Sequence, residues 1–216
     1  MLRDVKKYQS APRWPVMVAI TATTGLFLSL PERLTPGPSW VLVSVILFAL
    51  GLAVVTHRTG KYKMNRVVGM VLLGLITAAT VWSLGTLISG LPGKRETPTE
   101  LLRSAAALWV SNVLVFACWY WRLDAGGPYN RDLRDEHTDG AFLFPQMMMP
   151  QPRKGDRRPW KPGFVDYLFL AFNTSTAFSP TDVPVLSRWA KLLMMVQSCI
   201  SLGTIAILAA RAINVL

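Results

Sequence analysis

Hydroxyl, amide and carboxylate side chains interrupt an apolar stretch near the C-terminus. The apolar residues from Phe164 to Pro180 are broken by Asn173-Thr174-Ser175-Thr176, and Ser179, Thr181 and Asp182 follow before a long apolar segment. Side chains of these types inside a membrane protein usually contact ions, water or one another. The nature of this broken stretch therefore decides which function the chain can have.

A second polar group lies in the apolar segment that follows. Gln197, Ser201 and Thr204 are spaced by four and three residues, which places them near one face of a helix. Hydrogen bonding between helices is one interpretation of this face. The other is that the three side chains line a wet path, which depends on what the preceding stretch does.

Other candidate chemistry fails on spacing. The run from Asp135 to Gly140 resembles the start of a calcium loop, but its third residue is His137 and its twelfth is Gln146 instead of glutamate. The chain has two histidines, His57 and His137, and both of its cysteines lie in apolar runs. These residues are too few and too scattered to form a zinc site. We expect both histidines to be solvated loop residues, and we predict no catalytic residue, metal site or cofactor, hence no enzyme.

Composition indicates an integral membrane protein. The chain has 216 residues, of which 51% are hydrophobic and 16% are charged, and the apolar residues are bunched into long runs. Five runs are candidates for membrane-spanning helices: Trp14 to Leu30, Trp40 to Val55, Val67 to Leu91, Leu101 to Trp121 and Leu192 to Ile213.

Basic residues are concentrated in alternate connections. The N-terminal segment, the connection between the second and third runs, and residues 122–161 carry most of the 23 lysines and arginines. The positive-inside rule then puts the N-terminus in the cytoplasm, in a bacterial inner membrane. The same rule accounts for the net charge of +11 without any nucleic-acid partner.

Three regions follow from this arrangement. Residues 1–121 are predicted to form four membrane helices as two hairpins, and residues 122–162 an irregular, basic and proline-rich cytoplasmic loop. Phe142-Leu143-Phe144-Pro145 within the loop is apolar enough to pack on the helices or on a neighbouring subunit. Residues 163–216 contain the broken stretch and the last membrane helix.

The broken stretch is predicted to enter the membrane and return. A helix from Phe164 to Phe178 would extend only about 22 Å, short of a crossing of roughly 30 Å. A half-membrane helix that ends in polar residues is typical of a re-entrant loop, covered by protein or water. The re-entrant arrangement puts 18 basic residues inside and 5 outside, against 17 and 6 for the alternative of six spanning helices.

The broken stretch also resembles the pore module of tetrameric potassium channels. Asn173 to Asp182, then Pro184-Val185 and a long helix, are similar to that family's pore helix, filter and inner helix, with Asp182 at the aspartate that ends the filter. Ser179 and Thr181 stand where the filter glycines should be, and Pro180 replaces the tyrosine. Potassium selectivity is therefore not implied.

The last 55 residues also resemble a bacterial family of predicted integral membrane proteins of unknown function. The resemblance rests on Tyr167-Leu168-Phe169, Ala177-Phe178, Thr181-Asp182-Val183 and Ser187-Arg188. It implies a membrane fold without naming an activity.

Two functions remain open from the sequence. One is a weakly selective ion channel, a homo-oligomer such as a tetramer in membrane lipid, passing monovalent cations. Its lining would come from Thr174, Thr176, Ser179, Thr181 and Asp182, with Gln197, Ser201 and Thr204 on the inner helix. The other is a non-conducting structural or accessory membrane protein that retains a channel-like fold.

Overall fold

The computed structural model is built almost entirely from helices. It describes residues 12–91, 97–134, 137, 140–149, 160–176 and 183–213, without the side chains of 211–213. Seven α-helices lie in these ranges: Trp14–Leu28 (α1), Ser39–Arg58 (α2), Tyr62–Gly90 (α3), Pro98–Leu123 (α4), Pro128–Leu133 (α5), Phe164–Thr176 (α6) and Arg188–Ile213 (α7). No strand occurs in the described ranges, so the all-α prediction is confirmed there.

Proline, glycine and capping residues set the helix ends. Pro98 is the first residue of α4, where its missing N–H has no intrahelical partner to lose. Thr97 and Glu100 form a capping box: the Glu100 N–H donates to Thr97 Oγ1 (3.3 Å) and the Thr97 N–H donates to Glu100 Oε2 (3.0 Å). Gly60, at φ +70°, allows the chain to reverse between α2 and α3.

Four helices are long and apolar enough to cross a membrane, namely α2, α3, α4 and α7. About 20 residues are needed for a hydrocarbon core of roughly 30 Å. The apolar α1 has 15 residues and α6 has 13, so each is shorter than that. The protein is thus membrane-embedded with four candidate spanning helices. Of the five spanning helices predicted from the sequence, these four have the length and composition to cross a membrane.

Helix α4 is the centre of the bundle. It packs against α1, α3, α6 and α7, and two-thirds of its most apolar 18-residue stretch is buried. Ala105 and Ala117 are completely buried on it and Ser104 nearly so. Small side chains of this kind let neighbouring helices approach closely in a membrane. The short α6 uses this surface and lies against both α4 and α7.

The described part of the loop before α6 packs into the bundle through Phe142. Its ring is fully buried, 5.2 Å from the Tyr120 ring, 6.3 Å from Tyr167 and 6.1 Å from Trp189. An isolated antiparallel bridge also joins Phe142 to Val185, the segment just before α7. The loop thus ties the end of α4 to the starts of α6 and α7.

Replacing Phe142 with alanine should destabilise the protein by about 3–5 kcal/mol, because a fully enclosed aromatic ring would leave a cavity. Thermal unfolding of the detergent-solubilised protein measures the effect. Phe169→Ala is the matched control, since the Phe169 side chain is 57% exposed on α6. Equal losses in the two variants would contradict this packing role for Phe142.

Candidate functional site

Two of the five predicted filter-like residues fall in the described part of the chain. Thr174 and Thr176 lie in the last turn of α6, with Thr174 buried and Thr176 half-buried. Their hydroxyls donate within the helix, Thr174 to the Leu170 carbonyl (2.8 Å) and Thr176 to the Asn173 carbonyl (3.0 Å). Ser179, Thr181 and Asp182 lie outside the described residues, so their arrangement stays a prediction.

The predicted polar face of α7 lies in the protein interior, against the end of α6. Gln197, Ser201 and Thr204 are all at most 1% exposed. The Gln197 Nε2 donates to the Ala171 carbonyl (2.7 Å) and to Ser175 Oγ (2.7 Å), both on α6. Its side-chain oxygen accepts from the Tyr120 hydroxyl of α4. One glutamine amide thus joins all three helices.

Hydroxyls on α7 extend this contact along the helix. The Ser201 hydroxyl donates to the Ser175 carbonyl, and Ser198 donates to the Thr174 carbonyl (3.4 Å). The indole N–H of Trp109, on α4, donates to Ser201 Oγ (3.0 Å). Ser201 therefore connects α4 and α6 in the same way as Gln197.

Thr204 and Asn112 complete the network. Thr204 donates to the Ser201 carbonyl of its own helix (2.7 Å), and the Asn112 amide of α4 donates to the Gln197 backbone carbonyl (3.1 Å). We call Tyr120, Gln197, Ser175 and Ser201 with these neighbours the α6 end network. Its members are held by contacts within one chain, and a pore-lining role for Gln197, Ser201 and Thr204 stays a prediction.

The network solves a physical problem of a short buried helix. The last four carbonyls of an α-helix have no partner inside the helix, and each is costly to leave bare in an apolar surrounding. Ser198 and Ser201 supply donors to the carbonyls of Thr174 and Ser175, in the last described turn of α6. The polar face of α7 thus meets this need inside the bundle.

A second buried polar cluster holds the start of α6. Asp124 follows α4 and is fully buried; its carboxylate accepts hydrogen bonds from the Tyr167 hydroxyl (2.6 Å) and the Ala141 N–H. The Nε2 atom of His137 lies 3.1 Å from the same carboxylate. Burying a carboxylate is expensive unless donors surround it, and these groups meet that need.

Arg131 closes the cluster from α5. It is 5% exposed, and its Nη1 donates to the carbonyls of Trp121 (2.7 Å) and Asp124 (2.8 Å). The guanidinium lies over the rings of Trp121 and Tyr167, at 5.5 and 5.2 Å from their centroids. We call Asp124, Arg131, His137 and Tyr167 the α6 start cluster.

The expectation that His137 is a solvated loop residue is wrong. The side chain is 7% exposed, and it lies against Asp124 and Gly140. A Cβ at Gly140 would lie 2.5 Å from His137 Nε2 and 3.2 Å from Asp124 Oδ1. Only glycine fits this approach without displacing the pair. In the ranges that the structure describes, no three metal-binding side chains meet.

Sequence reasoning missed Tyr120, Asp124 and Arg131. A usable signal was present, because Asp124 stands directly after a long apolar helix and precedes Gly126 and Gly127, whose φ angles are +79° and +98°. An acid beside a sharp turn at a membrane helix end is a candidate for a buried, bonded role.

Gln197→Leu should lower stability by about 1–3 kcal/mol, because the change leaves the Tyr120 hydroxyl and the Ala171 and Ser175 acceptors without this partner. Thermal unfolding in detergent measures it. Ser198→Ala removes one long hydrogen bond of 3.4 Å and should cost far less. Similar losses for both variants would contradict the central role of Gln197.

Asp124→Asn should destabilise by about 1–3 kcal/mol, because the neutral amide replaces a carboxylate that accepts two hydrogen bonds and lies 3.1 Å from His137 Nε2. Tyr167→Phe removes one of those donors and should cost about 1 kcal/mol. The double variant should lose less than the sum of the two, since the groups share one hydrogen bond. Additive losses would show that the pair is not coupled.

Comparisons with protein-family models, with characterised proteins and with solved structures find no match to this chain. The two resemblances drawn from the sequence stay predictions. What the protein does must therefore be inferred from its own contacts.

Proposed function

We propose that the protein is a channel-like integral membrane protein that does not conduct ions and serves as a structural or accessory component of a bacterial inner membrane. The observation that carries this proposal is the position of Gln197. In the channel alternative the polar face of α7 would instead line a water-filled path. Here Gln197 is fully buried and bonded to α4 and α6 of its own chain.

The proposed topology has five crossings, by α1 to α4 and α7, with α6 as a re-entrant half-helix and the N-terminus in the cytoplasm. Two contacts support the re-entrant path. Tyr167 near the start of α6 bonds to Asp124 at the end of α4. Phe142 contacts both Tyr167 and Trp189 at the start of α7. Helices α6 and α7 therefore begin at the same end of the bundle, which favours a returning chain over six crossings.

The depth of the return also supports this arrangement. The Ser175 carbonyl near the end of α6 meets Ser201, 13 residues into α7, about 20 Å from that helix's start. Val185 is bridged to Phe142 at the start. Ser175 and Val185 therefore lie at different depths along α7, which supports a return of the chain between them.

This returning segment is the basis for a second candidate function, a weakly selective channel. Ser179, Thr181 and Asp182 lie between Thr176 and Val183 in the sequence, and in this candidate a path for monovalent cations would run between copies of the chain, for example four around an axis. A returning chain between α6 and α7 is compatible with both candidate functions. Internal bonding of the α7 polar face favours the non-conducting one.

Cation flux into liposomes distinguishes the non-conducting function from the channel. Purified protein should give no more flux than protein-free liposomes, and Asp182→Asn should change nothing. A characterised cation channel reconstituted in parallel shows that the assay detects conduction, and light scattering shows whether oligomers are intact. Flux in the wild type that Asp182→Asn alters would overturn the proposal and support the channel.

Cysteine labelling tests the topology. In a background without Cys118 and Cys199, a membrane-impermeant maleimide added to intact cells should label Lys94→Cys and leave Lys154→Cys and Asp182→Cys unlabelled. Permeabilised cells should label all three if the residues are accessible. Labelling of Asp182→Cys in intact cells would favour six crossings.

A further inference from the structure

An open apolar groove runs between α3, α4 and α7 on the outer surface of the bundle. Its volume is about 490 Å³, within the range of small-molecule sites, which is ~300–1,000 Å³. We call it the lipid groove; its lining residues include Gly74, Thr77, Trp82, Phe116, Trp119 and Val196. Apart from Thr77, these residues are apolar or aromatic.

The walls of the lipid groove are fixed before anything binds. The indole N–H of Trp119 donates to Thr77 Oγ1 (3.0 Å), and the Thr77 hydroxyl donates to the Leu73 carbonyl (2.7 Å). The one polar side chain of the lining is therefore already bonded, and the Trp119 ring is held in place. Gly74 leaves open space, since a Cβ there would meet nothing within 4 Å. A preformed apolar groove favours a flexible hydrocarbon chain over a polar ligand.

A charged group lies one helical turn from the groove. Arg122 follows Trp119 by three residues on α4, so both are on the same side of the helix. Its guanidinium lies against Gly69 of α3, where a Cβ would be 2.0 Å from the guanidinium carbon, and its Nη1 donates to the Asn65 carbonyl (3.1 Å). The Nε atom is buried and has no partner among the described residues.

Two more arginines lie near enough to affect the charge of Arg122. Both Arg13 and Arg66 disfavour that charge by electrostatic repulsion. Asp132 pairs with Arg13 at 3.5 Å, and the described residues show no ion pair for Arg122. An anion here would relieve the repulsion and accept a hydrogen bond from Arg122.

We propose that the lipid groove holds an acyl chain of an anionic phospholipid whose phosphate binds Arg122. From Gly69, where the guanidinium lies, to Trp82 is 13 residues of α3, or about 20 Å. This length covers the half-thickness of the hydrocarbon core, about 15 Å, together with part of the headgroup layer. The charge of Arg122 and the apolar walls thus match the two ends of one molecule.

Lipid analysis of the purified protein tests the proposal. Protein extracted in mild detergent should retain about one phospholipid per chain in native mass spectrometry. After exchange into a mixture of phosphatidylglycerol and phosphatidylcholine, the wild type should retain phosphatidylglycerol preferentially. Arg122→Gln should lower that preference about fivefold, the order expected for one basic side chain near an anionic surface. Arg58→Gln, an exposed arginine at the end of α2, should leave it unchanged.

A second pair of variants separates groove binding from loss of fold. Gly74→Leu adds a side chain where the structure has space, so it should keep the thermal midpoint and lose at least half of the retained lipid. Gly51→Leu on α2 also enters open space, away from the groove, and should retain lipid as the wild type does.

Three results would overturn the proposal. One is a wild type without retained phospholipid, another is equal retention in Gly74→Leu and Gly51→Leu, and the third is equal retention of the two headgroups by the wild type. A shift of oligomeric mass in Gly74→Leu with unchanged lipid would assign the groove to a second copy of the chain instead.

Discussion

The need to satisfy backbone carbonyls at a helix end inside an apolar bundle explains most of this architecture. The described residues of α6, Phe164–Thr176, lie against α4 and α7. Carbonyls near a helix end need donors from the protein in such a place, since hydrocarbon offers no hydrogen bonds. Ser198 and Ser201 of α7 donate to the carbonyls of Thr174 and Ser175. Gln197 donates to Ala171 one turn earlier, and Tyr120 and Trp109 of α4 in turn hold Gln197 and Ser201. The polar face of α7 is therefore best understood as a partner for α6.

The opposite end of α6 is held by a different kind of chemistry. There a buried carboxylate, Asp124, binds the Tyr167 hydroxyl, and Arg131 stacks on the same ring. Charged groups hold the start of the helix and neutral amides and hydroxyls hold its end. This order fits the expected membrane depth, because charges are tolerated near the interface while neutral polar pairs suit the interior.

Composition and periodicity were sufficient to predict the six longer helices, whose ends differ from the predicted runs by up to five residues, whereas the short α5 lies in a stretch predicted to be irregular. The spacing of Gln197, Ser201 and Thr204 identified one polar face, yet it could not identify what that face meets, since α6 lies more than 20 residues away in sequence. The pairing of Asp124 with His137 was beyond reach for a related reason: a single acid and a single histidine 13 positions apart carry no period, and the two meet only in the folded chain. The stretch containing Ser179, Thr181 and Asp182 stays at the level of a sequence prediction.

The bonding of Gln197 to Ala171 has a consequence for how the chain is made. The two residues are 26 positions apart, and the acceptor is synthesised first. During translation, α6 therefore emerges before the side chains that satisfy its end exist. Its stable place in the bilayer must wait until α7 has been inserted, while α2 to α4 are long and apolar enough to insert as they appear. Helices α6 and α7 are thus expected to dock as a pair onto a surface of α4 that is already in the membrane.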